Sequence, residues 1–240
     1  MIDWLRKEMI EPEIELNGQN VPIVLKRHAR ARRLTLRLAA DGSAVNITLP
    51  QWARGREAIA FAHARKEWLA SQLSKVPQRR APEPGGTIRY RGKDLQITWQ
   101  EDAARRPKRA GDTVEIGGPR SALERRLGRW LEREALVLFE QDAEDYCAAA
   151  ALDPVPVALS RAQRRWGSCS DKKRIRLNWR LVQAPDYVRR SVVAHEVTHL
   201  VHFDHSPAFH TMLDDIYEGD IAAADAWLKS HGRTLYASFG

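Results

Sequence analysis

Five of the eight histidines in this chain fall between positions 195 and 210. Within that stretch His195, Glu196 and His199 form the pattern H-E-x-x-H. On a helix, residues four apart lie one above the other, so these two imidazoles point the same way and can bind one metal ion. Imidazole nitrogens are common zinc ligands, and a neighbouring glutamate can take a proton from an activated water. The spacing therefore predicts a zinc site with Glu196 as its general base.

A catalytic zinc site usually takes three protein ligands, so a third donor is needed. His205 ranks first, because it follows the expected end of the helix and Ser206-Pro207 is typical of the start of another. The chain must turn there, and a turn can bring a side chain back to the two-histidine face. His202 lies on a flank of the same helix and is less suited. Two further alternatives stay open, namely His210 and, as a carboxylate on a second helix, Glu218.

The helix that must position these residues is predicted from Tyr187 to about Phe203. Asp186 after Pro185 is a plausible N-cap, and Val188 and Val192 share the face of the two histidines. Further helices are expected at 54–75, 121–150, 207–217 and 221–229, and strands at 23–26, 34–38, 45–49, 87–90, 95–99, 113–116, 155–159 and 174–179. No internal repeat of useful length is apparent.

These elements predict an α+β protein. A strand-rich region with one helix is expected over residues 1–118, as a platform for substrate or partner, with a proline-rich connection at 77–86. A minimal zincin-like domain is expected over residues 119–240, with the active-site helix packed on a small sheet. A chain of 240 residues that is 43% hydrophobic can bury a core without disulfides, which excludes a disordered or disulfide-stapled protein.

The two cysteines, Cys147 and Cys169, lack the spacing of a metal knuckle or a disulfide framework, which favours a reducing cytoplasm. The first eight residues are charged throughout and no long apolar run occurs, so neither an export signal nor a membrane anchor is expected. The oligomeric state is not predicted.

Basic residues are concentrated in the first half. Residues 1–120 hold 23 basic and 14 acidic side chains, a net charge of +9, whereas residues 121–240 have a net charge of −1. Clusters at 26–33 and 105–109 are typical of solvated loops, yet they can also attract an anionic polymer. Weak nucleic-acid binding through this half is one expectation.

The segment from Arg161 to Arg180 carries eight basic residues and one acidic residue, Asp171, and it precedes the zinc helix. Its strand at 174–179 is expected to form the sheet edge along which an extended peptide aligns, with a basic solvent-facing strand as the alternative. Cys169 is expected to be a packed thiol rather than a nucleophile.

Four motifs carry a family resemblance: RWGSCS at 165–170, LNWRL at 177–181, HEVTHL at 195–200 and HSPAF at 205–209. Together with Lys66-Glu67-Trp68 they resemble the YgjP-like metallopeptidase family, which is related to SprT-like and WLM zinc proteases. The resemblance covers most of the chain. It implies a minimal zincin domain in which His195, His199 and His205 hold Zn²⁺ and Glu196 activates water.

The chain departs from related patterns at two positions. His210 stands where this family commonly has Trp, which leaves a polar group near the site. His202 stands where the metzincins, whose third histidine has the same spacing, carry a glycine, so a different turn is expected.

The leading hypothesis is a cytoplasmic zinc metallopeptidase acting on a peptide or protein substrate. A second hypothesis keeps the metal but hydrolyses a phosphoanhydride or nucleotide, with the basic segment from Arg161 to Arg180 binding the anion. A third is a DNA-associated protease that acts on DNA-bound proteins, although no recognition module such as a zinc finger is present.

Overall fold

The computed structural model describes residues 12–39, 41–76 and 80–239. The charged N-terminus and residues 77–79 of the expected linker lie outside them. The chain forms two compact units, 1–78 and 79–240.

The predicted α+β class is confirmed. The strands are β1 Glu13–Leu16, β2 Gln19–Arg27, β3 Thr35–Leu38, β4 Val45–Leu49, β5 Thr87–Tyr90, β6 Lys93–Gln100, β7 Lys108–Ala110, β8 Thr113–Gly117, β9 Val157–Ser160, β10 Gly167–Cys169 and β11 Ile175–Asn178; the α-helices are α1 Gly55–His63, α2 Lys66–Leu73, α3 Leu123–Ala149, α4 Asp186–Thr198, α5 Pro207–Ile216 and α6 Ile221–His231.

The first unit is a four-stranded sheet, in the order β1-β2-β4-β3, covered by two helices. Alternating residues of its strands are buried, as period-2 patterning predicts. The prediction of a single helix at 54–75 is wrong, because the backbone leaves the helical region at Arg65, with φ −114° and ψ 19°. The break gives two short helices, and Ala58, Ala62 and Leu69 are all buried.

The second unit begins with a sheet of the same topology, in the order β5-β6-β8-β7. In both sheets the central strand pair is parallel and the outer pairs are antiparallel. The two leading hairpins also turn alike: Asn17 and Gly18 have φ of 51° and 78°, and Arg91 and Gly92 have φ of 51° and 77°. Positive φ at both central residues is the signature of a type I′ turn. The two four-stranded sheets therefore resemble each other in strand order and in the backbone conformation of their first hairpin.

The long helix α3 supplies one wall of the second unit's core. Its apolar residues recur at helical spacing, and Leu127, Leu131, Ala135 and Phe139 are fully buried. They share one hydrophobic cluster with the sheet β5 to β8 and with α4. The boundary expected after residue 118 therefore falls inside the second unit, and the assignment of separate roles to 1–118 and 119–240 stays a prediction.

A small three-stranded sheet lies close to α4 in the order β10-β11-β9. The strand β11 pairs with β10 on one side and with β9 on the other. The expectation that the strand at 174–179 forms the sheet edge is therefore wrong, because both of its hydrogen-bonding sides are used. The two edge strands are β9 and β10, and β10 is a three-residue strand that the sequence pattern did not predict.

The helix α4 ends earlier than predicted. It stops at Thr198 rather than near Phe203, and the amide groups of Val201 and His202 donate to the Thr198 carbonyl oxygen at 3.1 and 3.0 Å. Asp186 is the first helical residue and Pro185 the cap. The next helix begins as predicted, with Ser206 as N-cap and Pro207 as its first residue. In the part of the chain that the structure describes, no helix combines the length and apolar character of a membrane span.

Candidate metal centre

The start of α4, the helix that carries His195 and Glu196, is held by ion pairs to α3. Arg189 of α4 and Asp142 of α3 are each 3% exposed, and the Arg189 Nε lies 2.6 Å from the Asp142 Oδ2. Arg189 also pairs with Asp186, which in turn binds Arg91 from the β5–β6 turn. A buried, hydrogen-bonded ion pair holds its partners in one geometry. The start of α4 is thereby tied to α3 and to the second sheet.

Three imidazoles converge at the other end of α4. The Nε2 atom of His195 lies 3.1 Å from the Nε2 of His199 and 3.2 Å from the Nε2 of His205. Four nitrogen ligands around tetrahedral zinc, at about 2.0–2.1 Å from the ion, are about 3.3–3.4 Å apart. The separations are therefore close to those of a three-imidazole zinc site. These three residues form the metal-competent cluster found among the described residues.

The turn after α4 orients His199. Its Nδ1 atom lies 2.9 Å from the backbone carbonyl oxygen of His202. A carbonyl accepts hydrogen bonds, so Nδ1 carries the proton and donates it, and Nε2 keeps a free lone pair for a metal. His202 thus contributes its main chain, and its side chain lies outside the cluster.

A buried phenylalanine supports all three rings. Phe209 of α5 is fully buried, and its ring centroid lies 4.9 Å from that of His195, 4.8 Å from that of His199 and 4.8 Å from that of His205. Aromatic rings at this separation restrict each other's orientation. In the sequence Phe209 belongs to the HSPAF motif but has no predicted role, although an apolar residue three positions after a helix N-cap indicates the buried face of that helix.

Burial keeps the central imidazole neutral. Burial, together with the charges of His199, His205 and His210, lowers the pKa of His195 to about 4. A neutral imidazole can donate a lone pair to a metal, whereas a protonated one cannot. The cluster therefore favours a metal over protons near neutral pH.

The side chain of Glu196, in α4, is buried against the strand β10. It is 5% exposed and accepts a hydrogen bond from the backbone amide of Cys169. Its Oε2 atom is buried and has no hydrogen-bond partner among the described residues. Burial raises the pKa of Glu196 to about 7, and the positive charge of Arg165 opposes that rise. An unpaired buried carboxylate oxygen is costly, which indicates that a water or a cation completes the site.

The other candidates are placed elsewhere. His210 is exposed and outside the cluster. Glu218 accepts hydrogen bonds from Tyr146 at 2.8 Å and from Arg190 at 2.6 Å, so its carboxylate is occupied. The Cys169 thiol is partly buried, and burial together with the Glu196 charge raises its pKa. A raised thiol pKa is the opposite of what a nucleophilic cysteine needs.

A cluster of imidazoles beside a buried glutamate is typical of metal-dependent hydrolases. The family model described as YgjP-like, metallopeptidase domain, matches residues 32–231. The chain belongs to the YgjP-like metallopeptidase family. That membership indicates a metal-dependent peptidase. No curated protein and no solved structure matches the chain.

Proposed function

We propose that this protein is a zinc-dependent peptidase in which His195, His199 and His205 hold the ion and Glu196 is the general base. The observation that carries the proposal is the convergence of three imidazole nitrogens on a helix that also presents a buried glutamate. The neutral state of His195 and the unpaired Oε2 of Glu196 support it. Bound zinc supplies a Lewis acid that polarises the scissile carbonyl and lowers the pKa of a water.

Glu196 provides the proton transfers. The backbone amide of Cys169 fixes the carboxylate, and the Oε2 atom is left free to accept a proton from the attacking water. The same proton then passes to the nitrogen of the departing amine as the peptide bond breaks, so Glu196 ends each cycle as it began. General acid–base catalysis of this kind contributes about 10²- to 10⁴-fold in rate.

We also propose a cytoplasmic location and a peptide or protein substrate. Cys147 is buried and Cys169 partly buried, and both are free thiols, which suits a reducing compartment. The hypothesis of a phosphoanhydride substrate shares the metal site, so its test belongs in the same experiment.

The experiment compares the parent with Glu196→Gln. Turnover is measured on a pool of fluorescence-quenched peptides, and zinc per chain is measured on the same preparations. The variant is expected to keep its zinc and lose turnover by about 10²-fold or more. Glu218→Gln is the matched control, because it makes the same change at a carboxylate that Arg190 and Tyr146 occupy, and it is expected to retain turnover.

Full turnover in zinc-loaded Glu196→Gln would contradict the assignment of the base. A zinc-loaded parent that releases phosphate or pyrophosphate from nucleotides but cuts none of the peptides would replace the peptidase with the phosphoanhydride hydrolase.

A further inference from the structure

One face of α3 carries a stripe of arginines. Arg126, Arg129 and Arg133 are spaced i, i+3 and i+7, so they share one side of the helix, while Leu127 and Leu131 are buried on the other. At 1.5 Å per residue the stripe extends for about 10 Å along the axis. These residues belong to the half of the chain whose net charge is −1, so the charge asymmetry of the sequence did not reveal them.

The loop at 101–107, between β6 and β7, lies beside this stripe and is held firmly. The amide of Gly117 donates to the Ala104 carbonyl oxygen at 2.8 Å, and the amide of Gly118 donates to the Glu101 carbonyl oxygen at 2.8 Å. A Cβ at Gly117 would lie 2.0 Å from the Ala103 carbonyl oxygen, so only glycine permits this approach. Arg126 donates to the Gly117 carbonyl oxygen at 2.7 Å, which links the helix to the same strand end.

Between the loop and the helix is a groove of about 420 Å³, here called the arginine groove. No carboxylate lines it, and Arg105, Arg106, Arg129 and Arg133 form no ion pair within the described ranges. The arginines of α4 differ, since Arg189 is paired with two carboxylates. Adjacent like charges repel each other, and an anion would relieve that repulsion. The groove is lined by Arg105, Arg106, Pro107, Arg126, Arg129 and Arg133.

We propose that the arginine groove binds the phosphodiester backbone of a nucleic acid. Guanidinium groups match phosphate oxygens in paired hydrogen bonds, and a stripe of about 10 Å is long enough for more than one phosphate. No aromatic side chain lines the groove, so bases are not stacked there and binding is independent of sequence. A membrane surface fits less well, because peripheral membrane sites present large apolar side chains beside the basic ones, whereas five arginines and one proline line this groove. The proposal does not rest on the peptidase function.

The test is fluorescence anisotropy with a labelled 20-base-pair DNA duplex and the full chain. Neutralising four to five phosphates predicts that affinity falls by about 100-fold or more between 50 and 200 mM salt. The triple variant Arg105→Ala, Arg129→Ala, Arg133→Ala is expected to bind at least about 10-fold more weakly at 100 mM salt. Its slope of log K against log salt is expected to be shallower by about 2.5.

The matched control removes three positive charges that lie outside both basic clusters of the sequence, at the exposed Arg37, Arg56 and Lys75. It is expected to change affinity less than about 3-fold. Equal losses in both triple variants would overturn the proposal, because they would show that net charge and not the groove attracts DNA. Absence of duplex binding by the parent at 50 mM salt would also overturn it, as would binding to phosphatidylserine vesicles without binding to duplex.

Each variant is first compared with the parent by thermal melting and zinc content. If the triple variant does not fold, the single charge reversal Arg129→Glu replaces it. That variant is expected to weaken duplex binding by at least about 10-fold, and unchanged binding would overturn the proposal.

Discussion

The Cα of Gly167 lies so close to the carboxylate of Glu196 that any side chain at position 167 would have to displace it. A Cβ at position 167 would be 2.3 Å from the Glu196 Oε1 and 2.6 Å from its Cγ. Both distances are far below van der Waals contact, and the Glu196 side chain is held in a buried site. The missing side chain of Gly167 therefore sets where the proposed base lies.

Gly167→Ala is expected to displace the Glu196 carboxylate. We expect turnover to fall by at least about 10-fold while zinc per chain is retained, because the change touches the glutamate and not the imidazoles. The free energy of unfolding of the metal-free protein is expected to drop by about 1–3 kcal/mol, as in other overpacked sites. Peptide turnover, elemental analysis and urea unfolding measure the three quantities.

A double-mutant comparison separates this contact from general damage to β10. In a Glu196→Ala background the added methyl group has room, so the same substitution is expected to cost less than half as much unfolding free energy. Gly55→Ala is the control, because its Cβ would meet the Leu25 Cδ1 at an ordinary 3.5 Å. Equal costs in the two backgrounds would show that Gly167 acts through something other than Glu196.

The ion pair between Asp142 and Arg189 is expected to be the chief electrostatic contribution to stability in this region. Arg189→Met leaves the buried Asp142 carboxylate with Arg190 as its only ion-pair partner among the described residues, so the free energy of unfolding is expected to fall by about 2 kcal/mol. Lys229→Met, which breaks an exposed pair with Asp225 at 4.0 Å, is expected to cost less than about 0.5 kcal/mol. Similar small losses for both variants in urea unfolding would contradict the structural role of the buried pair.

Stability is also expected to fall at low pH through Asp186. Burial raises the pKa of this carboxyl, but the hydrogen bond from Arg91 and the charge of Arg189 outweigh it and bring the pKa below its ordinary 3.8. An acid with a lowered folded-state pKa contributes stability above its unfolded value and loses it as pH falls through the folded value.

The metal-free parent should therefore lose unfolding free energy below about pH 4 more steeply than Asp186→Asn. Metal-free protein is used because protons also compete with zinc for histidine. Asp225→Asn, at an exposed site, is expected to follow the parent. Parallel curves for the parent and Asp186→Asn, from urea unfolding at pH 7, 4 and 3, would contradict the pairing.

Cys169 is expected to be dispensable for chemistry. Burial and the nearby Glu196 raise the pKa of its thiol, and its contribution to the site is the backbone amide. Cys169→Ser keeps that amide and is expected to retain turnover within about 3-fold. A loss comparable to that of Glu196→Gln would assign the thiol a direct role.

The sequence predicted those features that depend on neighbours along the chain. Helical spacing placed His195 and His199 on one face, and Ser206-Pro207 correctly marked the turn that brings His205 to them. The long helix α3 followed from its apolar periodicity. Each of these signals lies within about one or two helical turns, where geometry follows directly from residue order.

Features set by distant contacts were not predicted. The strand β10 has three residues, too few to show alternation, and its contact with Glu196 joins positions 29 residues apart. The division between α1 and α2 falls at Ala64 and Arg65, which both favour helix, so packing on the sheet overrides local preference. The matching topology of the two four-stranded sheets is likewise a property of strand order.

The most direct test of the zinc centre is elemental analysis of protein purified without chelator or histidine tag. About one zinc per chain is expected in the parent, in His202→Ala and in His210→Ala, because neither of these side chains joins the cluster. His199→Ala and His205→Ala are expected to lose most of the metal. A folded parent without zinc, or undiminished zinc in His205→Ala, would contradict the three-histidine site.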